Sequence, residues 1–234
     1  MTFSIIIPTY NEERFIHRLI RHLQYISAGL EVEIIVSDGG STDKTVEMAS
    51  RLGVHTLLCP VKGRAGQMNY AAQKANGEIL FFVHADCLPP SSCLTSILAQ
   101  IKTGADAGCF RYRFDSDRFL LRVNAYFNKF GGLICRGGDQ TLFIKKSVFQ
   151  SLNGFNEKFT IMEDYDLVRR IQKKHQFVVI PEYALVSARK YDENTWVKVN
   201  FANTVAMLLF VTGTASPQRI KSTYHSLIKH PKDS

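Results

Sequence analysis

Much of what would mark a specialised chain is missing here. The five cysteines, at 59, 87, 93, 109 and 135, are odd in number and form no CxxC pair. Neither a disulfide framework nor a zinc site is indicated, and a reducing, cytoplasmic setting fits them. No apolar run approaches the roughly 20 residues that span a bilayer; the most apolar late stretch, Val205 to Val211, is far shorter. The opening Met1-Thr2-Phe3-Ser4 has no basic leader before an apolar segment, so no signal peptide is expected. Repeats, low-complexity tracts and linkers are absent too. The net charge of +8 favours anionic partners such as nucleotides, phosphorylated substrates or an acidic membrane surface. Without a block of like charges, nucleic acid is not among the expected partners.

What is present is an alternation. Phe3 to Ile7, Val32 to Val36, Val54 to Leu58 and Ile79 to Val83 read as buried strands. Pro8 is expected to stop the first, and Asn11 to cap the helix after it. That helix carries Phe15, Ile16, Leu19, Ile20 and Leu23 on one face. Further helices run to Leu52, where Gly53 is a natural stop, and through Lys74 or Ala75. Such β/α alternation predicts an α/β fold with a mostly parallel sheet flanked by helices. The later half predicts a helix capped by Ser91 or Ser92 to about Lys102 and a strand over 107–114. A helix over 119–130, a glycine-rich loop over 131–138 and a strand over 141–144 follow. Beyond them come a helix over 163–174, short strands over 177–180 and 184–186, and C-terminal helices over 193–211 and 217–229. One domain is expected over 1–234, with 1–103 as a nucleotide-binding half, 104–190 as an acceptor or catalytic half, and 191–234 as the C-terminal helices.

Parallel sheets bind ligands at the carboxyl ends of their strands. Glu12, Asp38 and Asp86 fall at successive strand ends and can converge there; Glu163, Asp164 and Asp166 open a later helix. His84 and Asp86, two apart on an extended chain, would point the same way.

Pro8-Thr9-Tyr10-Asn11-Glu12, Ser37-Asp38-Gly39-Gly40-Ser41-Thr42-Asp43, Asp86 after a buried strand, and Glu163-Asp164 together resemble the ordered signature of the family 2 inverting glycosyltransferases, which have a GT-A (Rossmann-like) fold. The resemblance covers about residues 3–175. Gly63-Arg64-Ala65-Gly66-Gln67-Met68-Asn69, His84-Ala85-Asp86, Gly138-Asp139-Gln140 and Met162-Glu163-Asp164 look closer still to a bacterial subgroup, the arsenosugar-biosynthesis or radical-SAM/selenodomain-associated glycosyltransferases.

The resemblance implies a UDP- or GDP-sugar donor, an acceptor hydroxyl and a divalent metal, Mn2+ or Mg2+. It implies a nucleotide pocket from Pro8, Thr9, Tyr10, Glu12, Asp38 and Gly39, with Lys62 and Arg64 beside base and phosphates. It further implies Asp86 as metal ligand, Asp164 as general base with Glu163 beside it, and Asp139 and Arg189 toward sugar, acceptor or donor phosphate. The chemistry suits these types: a departing diphosphate concentrates charge that cations must neutralise, and a hard metal prefers carboxylate oxygen. The chain departs from the family's usual Asp-x-Asp tip, with His84 in the first position. An imidazole there can ligate a metal, donate to a ribose hydroxyl or simply bond to backbone, and the sequence leaves these open. Two other readings stay beside the first: a nucleotidyltransferase, and a non-catalytic nucleotide-sugar-binding module. Trp196, Phe201 and Met207 to Phe210, followed by Lys221, Lys229 and Lys232, leave open a peripheral membrane foot at the inner face, a homo-oligomer contact, or a helix packed on the core.

Overall fold

A computed structural model describes residues 1–121 and 141–228. The expected alternation is present: β1 (Phe3–Thr9), α1 (Glu13–Ile26), β2 (Val32–Asp38), α2 (Thr45–Arg51), β3 (His55–Leu58), α3 (Arg64–Lys74) and β4 (Ile79–Phe82). After it come β5 (Cys87–Leu88), α4 (Cys93–Lys102), β6 (Ala107–Phe114), β7 (Leu142–Lys145), α5 (Lys146–Ser151), α6 (Glu163–Gln172), β8 (Phe177–Val186), α7 (Lys190–Glu193), α8 (Trp196–Thr212) and α9 (Pro217–Leu227). The expected helix over 119–130 lies outside the described residues except at its start, and the glycine-rich loop with Asp139 lies wholly outside them.

The strands form one sheet in the order β3-β2-β1-β4-β7-β6-β8-β5. β7 runs against β4 and β6, and β5 against β8; the other pairings are parallel. The order reverses beside β1, whose neighbours are β2 and β4, and a crevice opens at such a reversal where parallel strands end.

The apolar runs explain why the sheet is covered on both faces. Successive strand residues point to opposite sides. Ile5, Ile7, Phe81 and Val83 therefore meet α1 and α4, through Leu19, Ile20, Leu94 and Ile97. Ile6, Leu80 and Phe82 meet α3, α5 and α6, through Met68, Phe149 and Leu167. At about 1.5–3 kcal/mol for each such side chain, burial on both faces outweighs any local preference for another conformation. A third cluster joins α8 and α9 to Phe159, Ile161, Met162 and Tyr165.

Four local expectations are corrected. Pro8 does not stop β1, which pairs on through Pro8↔Ser37 and Thr9↔Asp38. Its missing amide would face the β4 side, where pairing has already ended at Ile6↔Phe82, so nothing is lost. Asn11 does not cap α1: its φ is 52°, and its side-chain oxygen accepts from the Thr42 amide at 2.9 Å. Ser92 precedes α4, but its hydroxyl donates to Glu182 and accepts from no amide of its own helix. The two short strands over 177–186 are one, β8; a register shift between Phe110 and Arg111 lets it pass Pro181 and Glu182 without partners.

Candidate active site

The carboxyl ends of β1 and β2 are laced together loop to loop. Gln67, buried on α3, donates its side-chain amide to the carbonyls of Thr9 and Ser37. Gly39 makes room for it, because a Cβ there would lie 2.6 Å from the Gln67 amide nitrogen. The Asn11 amide donates to Ser41 Oγ at 2.8 Å, the Glu12 amide to Thr45 Oγ1 at 2.7 Å and the Glu13 amide to Asp43 Oδ2 at 3.1 Å. Asp38 is buried under Thr9, and both of its oxygens are engaged. Oδ2 accepts from the amides of Gly40 and Ser41, each at 2.8 Å, while Oδ1 accepts from the hydroxyls of Thr9 and Ser41. In this structure the Asp38 carboxylate shapes the loop. Tyr10 stands exposed at the tip, and Pro8 is buried in the strand.

Against this edge sits the group that sequence separation had hidden. Arg189, just past β8, donates from Nη1 to Glu12 Oε2 at 2.7 Å and from Nη2 to Glu12 Oε1 at 3.0 Å. The same Nη2 lies 2.9 Å from Asp86 Oδ2, and the guanidinium rests 4.9 Å from the centre of the Phe15 ring. Burial works against its charge. The hydrogen bond to Glu12 and the charges of Asp86 and Glu12 outweigh burial and raise its pKa, while Arg64 pulls the other way. Two carboxylates thus share one nitrogen of one cation.

His84 and Asp86 are half-buried beyond β4, but not on an extended chain. The Cys87 amide donates to the His84 carbonyl at 3.0 Å, closing a turn through Ala85 and Asp86. The two-residue spacing therefore does not make their side chains parallel. No set of three acidic, histidine or cysteine side chains gathers among the described residues as a self-sufficient metal site.

On the opposite rim, α6 starts from Met162 with φ 69°, a left-handed conformation that costs a non-glycine residue energy and is concentrated at functional positions. This bend sends Glu163 inward, fully buried, with Arg64 Nη1 3.2 Å from its Oε1 outside hydrogen-bond geometry. Burial pushes the Glu163 pKa up, against the pull of Arg64. Asp166 turns to Arg170, whose guanidinium also holds the carbonyls of Leu152 and Gly154. Asp164 lies between them, half-buried in the first turn. Lys62 is exposed ahead of α3.

The structure thus brings Glu12, Asp86 and Arg189 into contact, joins Arg64 to Glu163, and sets Thr9 on Asp38. Asp139 lies outside the described residues. Gln67 and Phe15 were missed. Gln67 announced itself only as a polar residue among the buried Ala65, Met68, Ala71 and Ala72 of α3; Phe15 read as core.

Comparison with known proteins gives this geometry a context. The family model for glycosyl transferase family 2 matches residues 4–181. A dolichol-phosphate mannosyltransferase of Pyrococcus furiosus is 30% identical over 111 residues, 45% of this chain and 32% of that protein. The chain therefore spans about a third of that relative. A PGL/p-HBAD biosynthesis glycosyltransferase of Mycobacterium bovis is 26% identical over 230 residues, 88% of this chain and 84% of that protein. Among solved structures, glucosyl-3-phosphoglycerate synthase from Mycobacterium tuberculosis, in complex with Mn2+, UDP and glucosyl-3-phosphoglycerate, superposes with a TM-score of 0.66 at 18% identity, covering 89% of this chain and 78% of that one. The α/β architecture is thus that of the GT-A glycosyltransferases.

Proposed function

The chain belongs to glycosyl transferase family 2, and from that premise we propose that it transfers a sugar from a nucleotide-diphosphate donor to an acceptor hydroxyl, inverting the anomeric centre. One observation carries the reading. Acidic groups from β1, β4 and α6, with Arg64 and Arg189 between them, ring the crevice where the strand order reverses. The family match also favours this reading over a nucleotidyltransferase.

The side chains suit a metal that arrives with the diphosphate. Two carboxylates already share one cationic nitrogen, and a hard divalent ion commonly takes one or two carboxylates with substrate phosphates completing its shell. Asp86 is the assigned ligand, with His84 beside it; bound Mn2+ or Mg2+ would neutralise charge on the departing diphosphate. The relative crystallised with Mn2+ and UDP supports this donor class.

The protein groups then divide the work. Thr9, Tyr10, Glu12 and the Asp38 loop form the nucleoside wall. Arg64 and Arg189 face the phosphates, where positive charge stabilises the leaving group as its bond to the sugar breaks. Asp164 takes the proton from the acceptor hydroxyl as that oxygen attacks the anomeric carbon, and the bonding pair leaves with the diphosphate. Asp164→Asn is expected to lower turnover by about 10²–10⁴-fold, the usual worth of a general base, with nucleotide affinity nearly unchanged. Turnover within a few fold of wild type would remove Asp164 from the mechanism. A thermal-shift panel of UDP- and GDP-sugars with Mn2+ names the donor; at 100-fold over its dissociation constant the right one adds about 2.7 kcal/mol of stability.

A further inference from the structure

Helix α8 is rich in apolar residues, and its own fold buries only one side of it. Val199 is buried, and Ala202, Ala206, Met207 and Phe210 pack in one cluster with Ile220 and Tyr224 of α9. On the other side Val197, Phe201, Leu208 and Val211 are 67%, 58%, 59% and 50% exposed. At about 100° per residue these four fall within an arc of roughly 80°. They make a stripe about 21 Å long. Thr204 is the one polar residue within that arc; single exposed apolar residues need no explanation, but four on one face of a helix mark a surface that something else covers.

We infer that this stripe seats on an anionic lipid surface, with α8 lying in the plane of the headgroups. Charge decides between lipid and a second copy of the chain. Within α8 and α9 there is no Asp or Glu, while Lys198, Arg219 and Lys221 are basic and exposed. Two copies joined through α8 would set these bases against their own kind, since neither helix carries an acid. Acidic headgroups attract the same charges and leave the apolar row to enter the acyl boundary. Spanning is not involved: no helix among the described residues is long and apolar enough to cross a membrane.

The seat is mechanically close to the site. Met162 and Tyr165, which flank Glu163 and Asp164, pack in the same cluster as the inner side of α8. A chain held by this stripe presents the first turn of α6 at a fixed orientation to the lipid surface. The inference rests on α8 and α9 and stands independently of the donor reading.

Flotation of the whole chain with vesicles tests it, using phosphatidylcholine alone and phosphatidylcholine mixed with phosphatidylglycerol. Binding is expected to the mixed vesicles and to weaken as salt is raised. Phe201→Ser with Leu208→Ser is expected to weaken it by about tenfold or more, with an unchanged melting curve, since both sites are solvent-facing. Tyr25→Ser, at an exposed aromatic on α1, is the control and leaves binding intact. Equal binding by the double variant, or no binding to either vesicle, overturns the inference. So does a concentration-dependent dimer in sedimentation equilibrium that the double variant abolishes while vesicles stay unbound; that result makes the stripe a self-association face.

Discussion

The two ends of the sheet hold carboxylates in different ways. At the amino end, Glu33 on β2 accepts from Ser4 Oγ, from the Asn76 amide and side chain, and from the Gly77 amide. Burial works to raise its pKa, but these donors, Ser4 first, outweigh it and hold the pKa down. At the carboxyl end, Glu12 and Asp86 share Arg189, one long side chain reaching in from beyond β8. Asp38 sits at the carboxyl end yet is held as Glu33 is, by hydroxyls and amides of its own loop. The kind of partner, more than position, separates these two sets of carboxylates. Backbone amides are fixed in place and cannot let go, whereas a guanidinium on a flexible stem can move to an incoming phosphate.

The largest effect expected from that contrast is on turnover. Asp86→Asn should reduce sugar transfer by about 10²-fold or more, as loss of an electrostatic stabiliser does. Its melting curve should shift by less than about 1 kcal/mol of stability, since the pair it loses is partly open to solvent. A large loss of stability together with turnover would erase the distinction. The same glycine change at each end sharpens it further. A Cβ on Gly77 would lie 2.4 Å from the Ser4 amide nitrogen, which is backbone and cannot yield. On Gly39 it would lie 2.6 Å from the Gln67 amide nitrogen, a side-chain end that can shift but only by giving up its bonds to the Thr9 and Ser37 carbonyls. Denaturant titration should find Gly77→Ala destabilised by about 2–3 kcal/mol, through a backbone clash, and Gly39→Ala by about 1–2 kcal/mol, through the lost Gln67 bonds. Glu33→Ala, which strands buried donors, should cost about 1–3 kcal/mol while nucleotide binding stays unchanged in calorimetry.

The smallest effects lie in the pH dependence, and their signs oppose. Glu33 and Asp106 have folded pKa values below their ordinary ones. Each contributes stability that is present above the ordinary value and lost as pH falls through the folded one. For Asp106 burial acts the other way, and Lys145, the Gln176 amide and His175 outweigh it. Glu163 is raised by burial, so its contribution is full below the ordinary value of 4.5 and lost as pH rises through the folded one. Melting curves across pH should show Glu163→Gln losing that decline at rising pH, and Glu33→Gln showing a shallower acid limb. Parallel curves for wild type and both variants would contradict these assignments.

Much of the fold was legible because strands covered on both faces must be apolar at every position, as Ile5-Ile6-Ile7 and Leu80-Phe81-Phe82 are. Errors arose where a local rule met a particular neighbour. Pro8 ends a strand only if its amide is needed, and Ser92 caps a helix only from a non-helical backbone, whereas its own is helical and its hydroxyl is turned to Glu182. Pro181 breaks a strand only if the register cannot slip. In the site, the acids at strand ends could be found because parallel strands deliver their ends to one edge. The salt bridge of Arg189 with Glu12 could not, since no spacing rule links residues 177 apart. Arg64 facing Glu163 was hidden too, because it depends on the left-handed turn at Met162.

That long link has a consequence in time. At about 5–20 residues per second of synthesis, the cation follows Glu12 by roughly 9–35 seconds. Once Asp86 has followed, for roughly the last 5–21 seconds of that interval, the growing chain holds both acids without Arg189, and with Arg189 in place both lie within 3.0 Å of one of its nitrogens. Their mutual repulsion works against closing the crevice early. Pairing of β8 with β6 delivers the guanidinium, so the edge holding Glu12 and Asp86 gains its cation only when this late strand is in place.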